Sequence, residues 1–302
     1  MLLVTGITGH TGRYLLRELI NNKYDGPIRC IVRETTDTSI LDDCGLNIEK
    51  VIGDLNDPSF INGVMVGVET VMHIYNIHHS PLIVQAAIKN EVKRAILVHT
   101  TSIFSQYKKA SDGYKNIEKK IIELTDNPKC PTNITILRPT MIYGDLCDRN
   151  MSKFIKMVDK LRFMPIINGG NSLIQPVNAR DLGKAFFNVL MSRDETAGKY
   201  YNLSGEKPIK MIDAFTIIST ELNKKTIFIS VPLGLGVFIA KILKALTIGK
   251  IDYIEKVQRM GENRHYSHDK ATSDFGYNPM TFEKGIQLEV KEYIKSNRNT
   301  SK

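Results

Sequence analysis

The stretch Leu2 to Gly12, LLVTGITGHTG, constrains this chain more than any other. Leu2, Leu3 and Val4 read as a short buried strand that Thr5 and Gly6 end. Gly6, Gly9 and Gly12 then mark a turn into RYLLRELINN, where Leu15, Leu16, Leu19 and Ile20 recur at helical spacing. The order is strand, glycine turn, helix. A helix N-terminus presents unpaired amides and the positive end of a dipole, which suits a pyrophosphate. Glycines let the backbone approach phosphate oxygens and let the strand pack close to the helix. The spacing is G-x-x-G-x-x-G rather than the usual dinucleotide G-x-G-x-x-G, and a tight turn without a ligand is the plainer alternative.

Four further apolar runs follow at βαβ spacing: Ile28 to Val32, Ile48 to Ile52, Val68 to Ile74 and Arg94 to His99. A sixth, Asn133 to Leu137, comes after a charged helical stretch, and Lys199 to Gly205 reads as one more. Helical segments between them predict an α/β fold, a doubly wound parallel sheet covered on both faces. Such sheets bind ligands at the C-terminal ends of their strands. The glycine turn, Arg33, Asp54, Tyr75 and Thr100 all fall at such ends. Arg33 ends the second strand, where an arginine can pair a ribose 2′-phosphate, or can simply be a solvated side chain. Asp54 either faces the adenine or caps the next helix.

The 302 residues suffice for a large domain or a domain with a second lobe. The net charge of +9 favours anionic ligands. The lysines form no block and there is no zinc-finger spacing, so nucleic acid is not an expected partner. Cys30, Cys44, Cys130 and Cys147 show no close pairing, and the first strand begins directly after Met1. These features lead us to expect no signal peptide and a reduced, cytoplasmic setting. His78 and His79 are adjacent but lack a third ligand at sensible spacing, so no metal is expected. Ile229 to Ile248 is long and apolar, but Pro232, Gly234, Gly236, Lys241 and Lys244 interrupt it. From Val237 it is expected to form a buried or lobe-covering helix, with an interfacial membrane helix as the alternative.

Several motifs together resemble the short-chain dehydrogenase/reductase superfamily, in its extended or atypical branch of NAD-dependent epimerase/dehydratase proteins. They are VTGITGHTG at the start, GDLND after the third strand, LRPTMIYG after the sixth, and QPVNARDLGKA. YNLSGEKPI, ISVPLGL and HDKATSDFGYNPMTFEKGI follow in the same family order. The resemblance implies a Rossmann domain over residues 1–145, to which 175–205 return. A smaller substrate lobe would comprise 146–174 and 206–302. It implies that Gly6, Thr8, Gly9, His10, Thr11 and Gly12 hold cofactor phosphates, that Asp54 and Leu55 flank the adenine, and that Pro139 to Ile142 line the nicotinamide. Thr100 and Thr101 would stand where the family places its catalytic serine or threonine.

One departure matters. The family's catalytic pair is Y-x-x-x-K, in which the lysine lowers the tyrosine pKa so that a phenolate can take a proton. Here Tyr114 is followed at that spacing by Glu118, and Tyr107 by Ser111. The expected function is therefore an NAD(P)-dependent oxidoreductase or epimerase acting on a small polar substrate, nucleotide-linked ones included. Tyr114, Thr101 and Thr100 are its catalytic candidates. Arg33 favours NADP, with NAD as the alternative. The rival reading is a non-catalytic NADP-binding sensor or structural protein. A homodimer is compatible with either.

Overall fold

The computed structural model describes residues 1–148 and 150–300. Seven strands form one sheet: β1 (Leu2–Thr5), β2 (Ile28–Val32), β3 (Ile48–Ile52), β4 (Thr70–His73), β5 (Arg94–Val98), β6 (Asn133–Pro139) and, much later in the chain, β11 (Tyr200–Leu203). Their order is β11-β6-β5-β4-β1-β2-β3, with every neighbouring pair parallel. The chain winds outward from β1 to β3, then crosses back to β4 on the other side. The point of reversal lies between β1 and β4, where ligands of open α/β sheets bind.

Side chains alternate across the sheet with period 2. Leu2 and Val4 face a core shared with Leu15, Leu16 and Leu19 of α1 (Gly12–Asn21) and with Phe186 and Val189 of α6 (Ala179–Met191). Leu3 faces the opposite core. That core is built from Ile61 of α2 (Pro58–Val64), Ile83 and Val84 of α3 (Ser80–Lys89) and Ile121 of α4 (Lys108–Thr125). Gly183 lets α6 press on α1, since a Cβ there would lie 2.5 Å from Tyr14 Cβ.

A third apolar cluster joins α5 (Met151–Lys160), α8 (Met211–Glu221) and α12 (Phe282–Thr300) through Met151, Ile155, Phe215, Ile286 and Val290. Three two-stranded pairings accompany it. They are β7 (Ile142–Tyr143) with β10 (Val177–Asn178), β8 (Phe163–Ile167) with β13 (Ile227–Val231), and β9 (Leu173–Ile174) with β12 (Ile209–Lys210). The short α7 (Arg193–Thr196) leads into β11, and α11 (Asp269–Phe275) packs beside that strand.

The helix foreseen in the apolar run is present as α9 (Leu233–Leu246), followed by α10 (Ile254–Met260). Its burial differs from expectation. Only Gly236 and Ala240 of α9 are buried, while Leu235, Phe238, Ile239, Ile242 and Leu246 are exposed. The helix touches the body along its narrow small-residue side, where a Cβ on Gly236 would meet Ile167 Cδ1 at 2.7 Å. Its bulky apolar side points away. Among the described residues no helix is long and apolar enough to cross a membrane.

Candidate functional site

The glycine turn is a tight backbone loop. Gly9 N–H donates to Gly6 O at 3.0 Å, and Arg13 N–H to Gly9 O at 3.1 Å. Gly6 has φ +76° and lies against Tyr75, whose backbone N would be 3.0 Å from an added Cβ. Gly12 is more constrained still, because a Cβ there would stand 2.0 Å from Gly6 O. No side chain caps α1, and its first turn carries no acidic residue. An uncapped N-terminus under a glycine turn is a cradle for an anion.

Two cavities flank this turn. The first, about 320 Å³, is lined by Gly6, Thr8, Gly9, Arg33, Asp54, Leu55, Tyr75 and His79. Tyr75 and His79 stack with ring centroids 5.8 Å apart, and the Arg33 guanidinium lies 5.8 Å from the Tyr75 ring. Asp54 caps the turn before α2 rather than the helix itself. It accepts from Asn56 N–H at 2.9 Å, and Asp57 is the residue that caps α2, accepting from Ser59 N–H at 2.8 Å.

The second cavity, about 600 Å³, contains His10, Thr100, Thr101, Thr140, Met141 and Ile142 on the sheet side. Cys147, Asp148, Arg259, Glu262, Arg264 and Tyr266 line the far side. The Thr100 hydroxyl oxygen accepts from Ser102 N–H at 3.1 Å, and the Thr101 hydroxyl donates to Pro139 O at 3.3 Å. Pro139 thus positions Thr101. Glu262 is held by the Ser105 hydroxyl at 3.0 Å and by Gln106 N–H at 2.9 Å. Arg259 donates to Ser102 Oγ at 3.0 Å. Burial, with Arg259 nearby, lowers the pKa of Arg264, and its Nε is buried without a hydrogen-bond partner. A buried guanidinium with an unmet donor, in an open cavity, suits an anionic ligand group.

Asp145 binds the two halves of this site together. His10 Nε2 lies 3.0 Å from its Oδ1, Arg13 Nη2 lies 2.6 Å from its Oδ2, and the Tyr14 hydroxyl donates to it at 2.9 Å. Burial opposes its ionisation, but His10, Cys147 N–H and Tyr14 outweigh that and hold the carboxyl well below the usual range. Burial and Asp145 in turn push the Tyr14 phenol up to about 12.

Tyr114 lines neither of these two cavities. Its ring lies 6.0 Å from that of His78. Glu118, four residues after Tyr114 where the family has lysine, has partners of its own. It is buried and turned inward, 3.0 Å from His99 Nδ1 and paired bidentately with Arg138 on β6, where Nε donates at 2.9 Å and Nη2 also donates. His99 Nε2 continues the chain to Ser80 Oγ at 3.1 Å. Burial disfavours the Glu118 charge, yet Arg138 and His99 lower its pKa. A lysine at this position would face Arg138. Among the described residues no group of three His, Cys, Asp or Glu is placed to hold a metal.

Sequence reasoning missed Asp145, Arg259, Glu262 and Arg264. Asp145 directly follows the IYG of LRPTMIYG, a faint signal. Glu262 and Arg264 lie in GENRH and Arg259 just before it on α10, where nothing in the local pattern marks a site.

Residues 1–273 match the NmrA-like family. The chain belongs to that family. The crystal structure of gox2253 superimposes with a TM-score of 0.78 at 18% identity, covering 99% of each chain. The UDP-glucuronic acid 4-epimerase of Bacillus cereus, in complex with UDP-glucuronic acid and NAD, gives 0.74 at 15% identity, covering 98% of this chain and 99% of that one. A 71-residue segment is 39% identical to sterol demethylase protein B of Methylococcus capsulatus. It spans 24% of this chain and only 20% of that protein. This NmrA-like protein thus shares the Rossmann-type fold of these solved structures.

Proposed function

We propose that this NmrA-like protein is an NAD(P)-dependent oxidoreductase or epimerase acting on a small polar substrate that carries an anionic group, with NADP as the preferred cofactor. One observation carries the reading: the glycine turn borders both cavities, Gly6, Thr8 and Gly9 the smaller and His10 the larger. A dinucleotide laid across the turn has its adenosine beside Arg33, Asp54 and Leu55. Its pyrophosphate rests on Thr8, Gly9, Thr11 and Gly12, and its nicotinamide end lies toward Pro139 and Ile142. Gly12 keeps the turn tight enough for such a group, since a Cβ there would strike Gly6 O at 2.0 Å. Bound there, the cofactor supplies or accepts a hydride.

In this reading the chain's own residues hold the substrate and handle the proton. Arg259 and Arg264 pair with its anionic group and Thr100 and Thr101 face its reacting oxygen, while Tyr114, the family-position phenol, stands outside both cavities. UDP-glucuronic acid and NAD, named for the Bacillus cereus neighbour, are an anionic substrate and a dinucleotide of the kind this pair of cavities suits. The rival reading is a non-catalytic NADP-binding sensor. It is favoured by Glu118, whose tie to Arg138 leaves no lysine one helical turn from Tyr114.

Stopped-flow oxidation of bound NADPH by carbonyl compounds with and without a carboxylate or phosphate tests the proposal. The panel should include nucleotide-linked sugars. Arg264→Met is expected to raise KM for the anionic substrates roughly tenfold or more, from the loss of a charge-assisted pair. Thr101→Val should lower kcat by about 10²-fold, while Tyr114→Phe, outside both cavities, should change it little. Absence of NADP and NAD binding by calorimetry would sink the whole reading. Binding without turnover on any substrate would leave the sensor.

A further inference from the structure

The outer face of α9 has no role in the fold or in the site. Leu235, Phe238, Ile239, Ile242 and Leu246 recur at i, i+3, i+4, i+7 and i+11, which places them on one side of the helix. Phe238 is 58% exposed, Leu246 78% and Ile248, just past the helix end, 90%. Ile251 and Tyr253 extend the exposed apolar surface beyond the turn. Ile248 also has φ +51°, a conformation that a β-branched residue adopts only at a cost, and its side chain gains no burial in return. Residues of this size are not left bare in a contiguous row without something to cover them.

The charges around the row identify the cover. Residues 241–256 contain four lysines, Lys241, Lys244, Lys250 and Lys256, against two acids, Asp252 and Glu255. Asp252 is already 2.8 Å from Lys244. Lys241 and Lys244 edge a surface hollow of about 400 Å³ floored by Ala245, Ile248 and Ile254. The Lys256 ammonium lies 4.8 Å from the exposed Tyr253 ring. A second copy of this chain, itself at +9, would bring lysines against lysines across such a face. An acidic headgroup layer over hydrocarbon answers both halves of the pattern, apolar row and cationic rim. The 14-residue helix is about 21 Å long, short of the roughly 30 Å hydrocarbon core, so it would lie on the surface rather than cross.

We propose that α9 and the turn after it dock this protein on an anionic phospholipid surface, with Phe238, Ile242, Leu246 and Ile248 entering the headgroup boundary and Lys241 and Lys250 meeting lipid phosphates. The docking stands apart from the reaction proposed above. It is tested with the full-length chain by cosedimentation with vesicles of phosphatidylcholine alone and of phosphatidylcholine mixed equally with phosphatidylglycerol, at physiological salt. Binding is expected to the mixed vesicles and to be at least about tenfold weaker to the neutral ones. Phe238→Ser with Ile242→Ser, and separately Lys241→Glu with Lys250→Glu, should each lower binding roughly tenfold or more while leaving the thermal melt unchanged. No binding of the wild-type chain to mixed vesicles overturns the proposal. So does binding that both folded double variants retain. A dimer in light scattering that Phe238→Ser with Ile242→Ser dissolves, with no vesicle binding, assigns the face to a second copy instead.

Discussion

His10 Nε2, inside the glycine turn, lies 3.0 Å from Oδ1 of Asp145, just after β7. The same carboxylate takes Arg13 and Tyr14 of α1. The turn is thereby fixed from below by its own backbone and from the side by a residue that sequence spacing does not mark.

Replacing Asp145 by asparagine takes the carboxylate charge from Arg13 and His10 in a part-buried position. The expected loss at pH 7 is about 1–2 kcal/mol. Because the folded pKa of Asp145 lies below that of an ordinary aspartate, its contribution is present above about pH 4 and fades as pH falls further. Thermal melts of wild type and Asp145→Asn should therefore converge in acid. A gap that stays constant from pH 7 to pH 2.5 would show that the carboxylate's charge is not what stabilises the turn.

Gly9 and Gly12 should respond differently to substitution. Gly12→Ala sets a Cβ 2.0 Å from Gly6 O and is expected to cost about 3 kcal/mol or more, through the backbone shift it forces. Gly9→Val meets only Gly6 O, at 3.1 Å, so the fold should survive. Its side chain enters the smaller cavity, and nucleotide affinity by calorimetry should drop at least about tenfold. Unchanged affinity in Gly9→Val would remove the glycine turn from the binding site.

Arg33 is an exposed residue on the rim of that cavity. If it holds a 2′-phosphate, Arg33→Ala should weaken NADPH by about 1.5–3 kcal/mol, a tenfold or greater loss, and leave NADH unaffected. Equal losses for both cofactors would make Arg33 a general contact rather than a selector.

Glu289 of α12 accepts from Gly144 N–H at 2.9 Å and faces Asp148. Burial first, then Asp148, push its carboxyl from 4.5 up to about 10. Folded protein therefore holds a proton that unfolded protein releases above about pH 4.5, and stability declines as pH rises from there toward 10. Glu289→Gln removes the proton from the balance. It should melt higher than wild type at pH 8 to 9 and close to it at pH 5. Parallel pH profiles for the two would overturn the assignment.

The sheet was legible because apolar runs such as Ile28 to Val32 and Arg94 to Val98 end in polar or glycine-rich turns at regular intervals. The residues of the smaller cavity were legible for the same reason, since strand ends converge in a doubly wound sheet. What lay beyond reach was direction. Helical periodicity marks α9 as two-sided but does not say which side meets the body, and here the small residues do. Glu118 shows the same limit: its spacing from Tyr114 was plain, but not the pull of Arg138, a partner from another strand. Arg259 enters the larger cavity from the last turn of the short α10 and Arg264 from the loop after it, where there is too little periodicity to read.

The position of β11 at the edge of the sheet bears on how this protein can be made. That strand comes from Tyr200–Leu203, after the whole α5 segment, yet it pairs with β6 in register from Tyr200 opposite Ile136 to Leu203 opposite Pro139. A nascent chain or a fragment stopping near residue 145 would present β6 as an open edge, with its hydrogen-bonding groups free to recruit another chain. A cut near residue 145 thus leaves the sheet unfinished, and synthesis includes an interval in which aggregation competes with completion of the sheet.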